Sequence, residues 1–453
     1  MAENELIIFD GIDLATGQPK ISPISPVTAG RNILRRSPAH IAFEPLVKEK
    51  KVVVKPGLPQ AWGLVCRPDL DPDILTSVKS LIEHRRGTLY PYNGEWDVLS
   101  WEESLEQTGV PLADPNMYLL LVGSPKEIPY DFEKLLTPQH AVGRLDLPDA
   151  AAYENYVQTL LAYEQDERAT KIRRQAVEFF APDDTQATEV SVRQLVQPLA
   201  QAVRNLDSAA LDVGTWLGSQ ATREHLLTQM QSYSSAGAPA VVFLASHGAE
   251  VSLDLREHFQ GSWIPQGAAA LGHDPNEEEA KSCYLTGYDF AGGDLSPYGS
   301  IVFNFSCFGA GLHQEFTLRQ WVMADEIVPD DPHPLVSALG RNLLANPRPA
   351  LAYISTLDRT GNIFSWPGGS ILFEKCMNFL LEGQTVGEAC QFLWSKAGTF
   401  RESADQLLER AILAGHSPET MPDDQAQKLA LNWWMAGVLN NFVILGDPAT
   451  RLS

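Results

Sequence analysis

Ala240-Val-Val-Phe-Leu-Ala-Ser-His247-Gly248 and Ile301-Val-Phe-Asn-Phe-Ser-Cys307-Phe-Gly309 are the two stretches that decide the reading of this chain. Each is a short apolar run rich in β-branched and aromatic residues. Runs of this length suit a strand covered on both faces better than a buried helix. Each ends at one reactive side chain with glycine close behind. Ligands of open parallel sheets bind beyond the carboxyl ends of the strands. Two such ends, one carrying His247 and the other Cys307, therefore predict an acid/base and a nucleophile on one rim.

Working outward, strands and helices alternate. Strands are predicted at Ala61–Cys66, Met117–Val122, His140–Gly143, Ala176–Ala181, Leu211–Leu217, Ala350–Ile354 and Phe442–Leu445. Helices are predicted at Asp73–His84, Ala150–Glu164, Thr188–Asn205, Ala221–Gln231 (capped by Ser219), Gly369–Leu381 and Gln425–Leu439. Pro198 must kink or break its helix. The alternation predicts βαβ units, an α/β fold class and a mostly parallel sheet flanked by helices. Residues 1–50 are predicted as an extended segment, 51–180 as a smaller α/β subdomain and 181–453 as the larger catalytic subdomain. The stretch from Glu250 to Ser300, with its acidic run at 277–279, is too long for an ordinary connection and reads as a lid or binding loop.

Composition narrows the function. The chain has 453 residues, 44% of them hydrophobic and 20% charged, enough for a large core. A formal net charge of −23 makes direct binding to nucleic acid or an anionic membrane surface a poor expectation. The sequence begins without a basic, apolar secretory leader, and no apolar run is long enough to span a bilayer. The five cysteines, Cys66, Cys283, Cys307, Cys376 and Cys390, are sparse and odd in number, which fits reduced thiols in a cytoplasm.

The chemistry of the pair follows from its residue types. A thiolate is the nucleophile, and histidine can take up the thiol proton or deliver one to a departing amine. The tetrahedral intermediate needs backbone N–H donors, for which Gly248 and Cys307 are candidates. A lone His at a strand end is ordinarily structural and a lone Cys ordinarily a small core residue. It is their shared context that points to catalysis. Cys283, Cys307, His273 and His247 lack the paired spacing of a zinc site, so neither a metal nor another cofactor is expected. No Gly-x-x-x-x-Gly-Lys-Ser/Thr loop or Gly-x-Ser-x-Gly elbow occurs, so nucleotide hydrolysis and a serine-hydrolase mechanism are not expected.

At these residues the chain resembles the caspase-like (clan CD) cysteine peptidases, most of all the gingipain-type family and more distantly the bacterial CHAT domains. The pieces that carry the resemblance are 118–130 (Tyr-Leu-Leu-Leu-Val-Gly-Ser-Pro-Lys-Glu-Ile-Pro-Tyr), 141–145 (Ala-Val-Gly-Arg-Leu), 243–248, 304–311, 352–356 and the tail 444–452, with its Leu-Gly-Asp-Pro. The resemblance implies a small subdomain before a caspase-like one, a Cys307/His247 dyad and an oxyanion role for Gly248. It also implies a protein or peptide substrate, and a specificity pocket walled by Leu357–Trp366. Around that pocket, Phe305 and Trp366 would offer apolar surface. Asp289, Asp294 and Asp358 would favour a basic residue before the scissile bond, and Arg359 an acidic one; the basic preference is expected. The CHAT resemblance implies latency until an activating partner or ligand arrives, in a bacterial antiviral defence system. Three departures stand out: no leader like that of secreted gingipains, Phe305 where caspases carry Gln and metacaspases Asp, and a long interval between His247 and Cys307. The alternative is a non-catalytic caspase-like interaction module in a larger assembly.

Overall fold

The computed structural model describes residues 6–8, 11–13, 22–40, 61–110, 116–165, 176–206, 211–236, 239–250, 269–270, 284–291, 295–313, 334–366 and 368–452. Its strands are, in chain order, β1 (Gly11–Asp13), β2 (Trp62–Cys66), β3 (Thr88–Pro91), β4 (Tyr118–Val122), β5 (Ala141–Leu145), β6 (Ala176–Ala181), β7 (Asp212–Leu217) and β8 (Val241–Ala245). They continue with β9 (His247–Glu250), β10 (Ala269–Ala270), β11 (Tyr284–Leu285), β12 (Ile301–Phe305), β13 (Gly311–Leu312), β14 (Leu335–Val336), β15 (Ala352–Thr356) and β16 (Phe442–Gly446).

Ten of these form one sheet in the order β3-β2-β4-β5-β16-β15-β12-β8-β6-β7. All neighbours are parallel except β15 and β16. The fold is thus α/β with a mostly parallel sheet. Every residue of β2, β4, β5, β6, β8, β12, β15 and β16 is buried, which is why their sequences are dominated by apolar residues, interrupted by Arg144, Glu178, Asn304, Ser355 and Thr356. The edge strand β7 is only half-buried and carries Asp212 and Thr215. Strands on both sides of residue 180 belong to this one sheet, because the last strand, β16, returns to lie between β5 and β15.

Several local expectations need correction. Residues 26–40, expected as extended chain, form a helix opened by Pro26, with Gly30 so close to the helix Asp423–Asn440 that a Cβ would lie 1.9 Å from the Ala426 carbonyl. Proline at the first helical turn starts a helix rather than preventing one. Pro198 is met by a π-helical turn, Val192–Val196, followed by the helix Gln197–Arg204. The helix Arg223–Ala236 is capped by Thr222, whose hydroxyl accepts the His225 N–H, rather than by Ser219, which lies in a 3₁₀ turn. A helix at Val386–Leu413 was not anticipated, although Thr385 and Glu388 form the reciprocal cap at its start. Much of the Glu250–Ser300 stretch lies outside the described residues.

Candidate active site

The site is built where four adjacent strands of the sheet, β6, β8, β12 and β15, end on the same rim. In β8 and β12, Ala245 and Phe305 are register partners. His247 and Cys307 each lie two residues beyond them, so the strand pairing leads both residues to the same end of the sheet. Neither residue ends its strand as expected. β8 stops at Ala245, and His247 opens β9, which belongs to a separate small sheet with β1, β10 and β11. β12 stops at Phe305, and Cys307 sits in the turn that follows.

Gly248 packs directly on the Cys307 main chain. A Cβ built on it would lie 1.7 Å from the Cys307 carbonyl oxygen and 2.7 Å from the Cys307 nitrogen. No side chain fits there, so glycine is required by contact with the main chain of Cys307.

The turn holding Cys307 is tied down on all sides. The Thr356 hydroxyl donates to the Ser306 carbonyl at 2.7 Å, and the Ser355 hydroxyl to the Asn304 carbonyl at 2.6 Å. Tyr353 and Ser337 both donate to the Gly309 carbonyl. Phe308, directly after Cys307, has φ of 57°, a left-handed conformation that costs a bulky residue on the order of 1 kcal/mol or more and persists only where the surroundings enforce it. Its N–H donates to the Asp358 carbonyl at 3.2 Å.

Two residues the sequence reading missed complete the site. From the end of β6, Thr185 brings its hydroxyl within 2.6 Å of His247 Nε2. Thr185 is also the N-cap of the helix Gln186–Ser191, in a reciprocal cap with Thr188, so its position is set by the helix start. From the end of β15, Thr360 donates its backbone N–H to Cys307 Sγ at 3.1 Å, with its hydroxyl 3.5 Å from the same sulfur. Both Cys307 and His247 are buried, at 0% and 2% exposure. The spacing Thr185-x-x-Thr188 could have revealed a cap at 185, but nothing in it pointed to His247.

No protein-family model and no curated protein matches this chain. Solved structures do resemble it. The Arg-specific cysteine proteinase gingipain R (RgpB) superposes with a TM-score of 0.51 at 11% identity, covering 88% of this chain and 79% of that one. The RgpB pro- and mature-domain complex of Porphyromonas gingivalis gives 0.48 at 12% identity, covering 86% and 80%. This chain has the caspase-like fold of a gingipain.

Within this gingipain fold the predicted pocket residues separate into two groups. Asp358 and Arg359 stand beside the turn that holds Cys307. Both are 1% exposed; the Asp358 carboxylate accepts the Arg359 N–H at 2.7 Å, and the Arg359 guanidinium lies 5.5 Å from the Phe308 ring centre. Phe305 instead lies in an aromatic core with Phe364, Phe373 and Phe442. Trp366 is likewise packed in the main hydrophobic core. Among the described residues, Asp289 is spent on Arg223 and on the Thr286 N–H and hydroxyl. Asp294 lies outside the described residues. Also among the described residues, no group of His, Cys, Asp and Glu side chains could hold a metal, and no helix is long and apolar enough to cross a membrane.

Proposed function

We propose that this chain is a cysteine endopeptidase in which Cys307 is the nucleophile and His247 the acid/base. The observation that carries the reading is the packing of Gly248 on the Cys307 main chain, which sets the residue next to His247 against the nucleophile. In this mechanism Cys307 Sγ attacks the scissile carbonyl carbon and forms a thioester as the C–N bond breaks. With Nε2 engaged by Thr185, His247 Nδ1 takes the thiol proton and passes it to the leaving amine. The N–H groups of Gly248 and Cys307 hold the oxyanion. Water, deprotonated by the same imidazole, then releases the acyl group.

Latency belongs to this proposal, because Cys307 is wholly buried beneath Thr360. An activating partner or ligand would have to loosen the loop that carries Thr360. The defence role rests on the CHAT resemblance alone. A basic residue before the scissile bond is proposed on the Asp358 carboxylate and on the likeness to an Arg-specific proteinase, with Asp289 neutralised by Arg223.

The same burial favours a second reading, a caspase-like interaction module that never exposes its thiol. Incubation with a denatured proteome, long enough for the minor open state of the latent chain to act, and sequencing of the new termini separates the two. The peptidase reading expects new termini that vanish with Cys307→Ala. An interaction module yields none in either protein.

A further inference from the structure

The oxyanion site proposed above consists of two backbone N–H groups, those of Gly248 and Cys307. Each shares a peptide unit with the carbonyl of the residue before it. A peptide unit is planar and trans, so its C=O and its N–H point in opposite directions. Whatever holds the carbonyl therefore aims the N–H.

For the Cys307 N–H, the carbonyl is that of Ser306. It accepts the Thr356 hydroxyl at 2.7 Å and, at 3.4 Å, the Gly309 N–H. Thr356 is the last residue of β15 and is wholly buried. It is fixed in place by its register with Phe442 of β16 and by its own carbonyl, which accepts the Ala310 N–H at 2.9 Å. Its hydroxyl also lies 3.1 Å from the Asp358 carbonyl, which receives the Phe308 N–H. For the Gly248 N–H, the carbonyl is that of His247. It accepts the Ser246 hydroxyl at 3.1 Å. Ser246 is buried too, and its N–H donates to the Phe305 carbonyl at 3.2 Å.

A buried hydroxyl is costly unless it is hydrogen-bonded, and valine would give position 356 nearly the same shape without that cost. The hydroxyl is therefore the feature of Thr356 that asks for a role. The N–H groups of Phe308, Gly309 and Ala310 are all directed at carbonyls of the turn and its surroundings, those of Asp358, Ser306 and Thr356.

We propose that Thr356 and Ser246 are positioning residues for the oxyanion site. Each pins a carbonyl, and so holds the N–H of the same peptide unit in one direction before substrate arrives. Donors fixed in advance stabilise the developing charge without reorganising at the moment of reaction. A peptide unit free to rotate would present its carbonyl oxygen there instead, and repel that charge. The inference deepens the peptidase reading and rests on it.

The test compares full-length chains in two reactions. Hydrolysis of labelled, denatured casein passes through the oxyanion. Alkylation of Cys307 by iodoacetamide, followed by mass mapping, displaces iodide from a saturated carbon and forms no oxyanion. Both reactions need the open state of the latent chain, so the ratio of their rates cancels its population. Thr356→Val and Thr356→Ala remove one hydroxyl, the first keeping its volume, and Ser246→Ala removes the other. Thr356→Ser keeps the hydroxyl. Among variants with a cooperative thermal transition, the ratio of cleavage to alkylation is expected to fall by about 10- to 100-fold without either hydroxyl, the scale of a small misplacement. Thr356→Ser should restore most of it. An unchanged ratio, whether both rates stand or both fall, overturns the assignment of that residue, while cleavage by the parent keeps the peptidase reading. A parent that leaves casein intact removes the peptidase reading and the proposal with it.

Discussion

The Thr185 hydroxyl and His247 Nε2 stand 2.6 Å apart, joining the end of β6 to the candidate acid/base. A histidine moves protons well only if its ring is held in one orientation and one tautomer. In the proposed mechanism Thr185 would do for one ring nitrogen what a third group does in other nucleophile–base pairs. Thr185→Val should lower kcat by roughly 10- to 100-fold, the scale of a small misplacement of a catalytic group, with little change in KM. Thr185→Ser, which keeps both the hydroxyl and the helix cap, should restore most of the rate. The pH–rate profile is the decisive readout, since Thr185→Val should shift its histidine limb. A rate loss with an unchanged profile, unrescued by serine, would leave Thr185 as a helix cap only.

Gly248→Ala should abolish cleavage while the rest of the fold survives. The added methyl would meet backbone, which cannot swing aside, 1.7 Å from the Cys307 carbonyl. Steady-state cleavage together with circular dichroism checks this, and an active alanine variant would refute the close packing.

The resemblance pieces and the site were legible in the sequence to different degrees. β8 and β12 announced themselves because burial on both faces leaves them apolar but for Asn304, and the reactive pair stood out against them. The loop 357–366 was named, but the residue that caps the sulfur, Thr360, is chemically unremarkable and acts through its main chain. Phe305 looked like pocket surface, yet β12 points it to the same face as Phe303, into the aromatic core. Two of the recurring motifs turn out to be structural. Arg144 of 141–145 ties down 123–133 through Gly123, Ile128 and Glu133. Asp447 of the Leu-Gly-Asp-Pro tail receives Trp62 and Arg85 and donates its own N–H to Tyr156. Long-range pairings of this kind cannot be seen in spacing.

Arg144 and Glu133 form a buried ion pair at 2.8 Å, with both side chains 1% exposed or less. Burial alone pushes the Glu133 carboxyl up, against the pull of Arg144. Arg144→Met leaves that carboxyl without its cation and the Gly123 and Ile128 carbonyls without their donor. It should destabilise the fold by about 3–5 kcal/mol. Denaturant unfolding measures this. Adding Glu133→Gln should recover part of the loss, and a fully additive double variant would contradict the coupling.

His140 is buried, its Nδ1 has no hydrogen-bond partner, and burial lowers its pKa from 6.5 to about 4. The folded state holds this ring neutral, whereas the unfolded chain protonates it near 6.5. Its contribution to stability is therefore full above pH 6.5 and is lost as the pH falls towards 4, by at most about 3 kcal/mol. His140→Gln should flatten the acid limb of the stability curve in that window. Identical curves for the two proteins would show that His140 is not responsible.

The central claim is that Cys307 is a nucleophile activated by His247. Its most direct test is mass mapping of cysteine modification after the folded protein meets a peptide electrophile at neutral pH. Burial pushes Cys66 up to about 11, Cys376 up to about 12 and Cys390 well above its ordinary value, so these three stay protonated and slow. The account predicts that the minor open state of the latent chain still lets Cys307 be modified far ahead of these three, and that this lead is lost when His247 is replaced by alanine. Modification of Cys307 no faster than of Cys66, or a rate indifferent to His247, would contradict it.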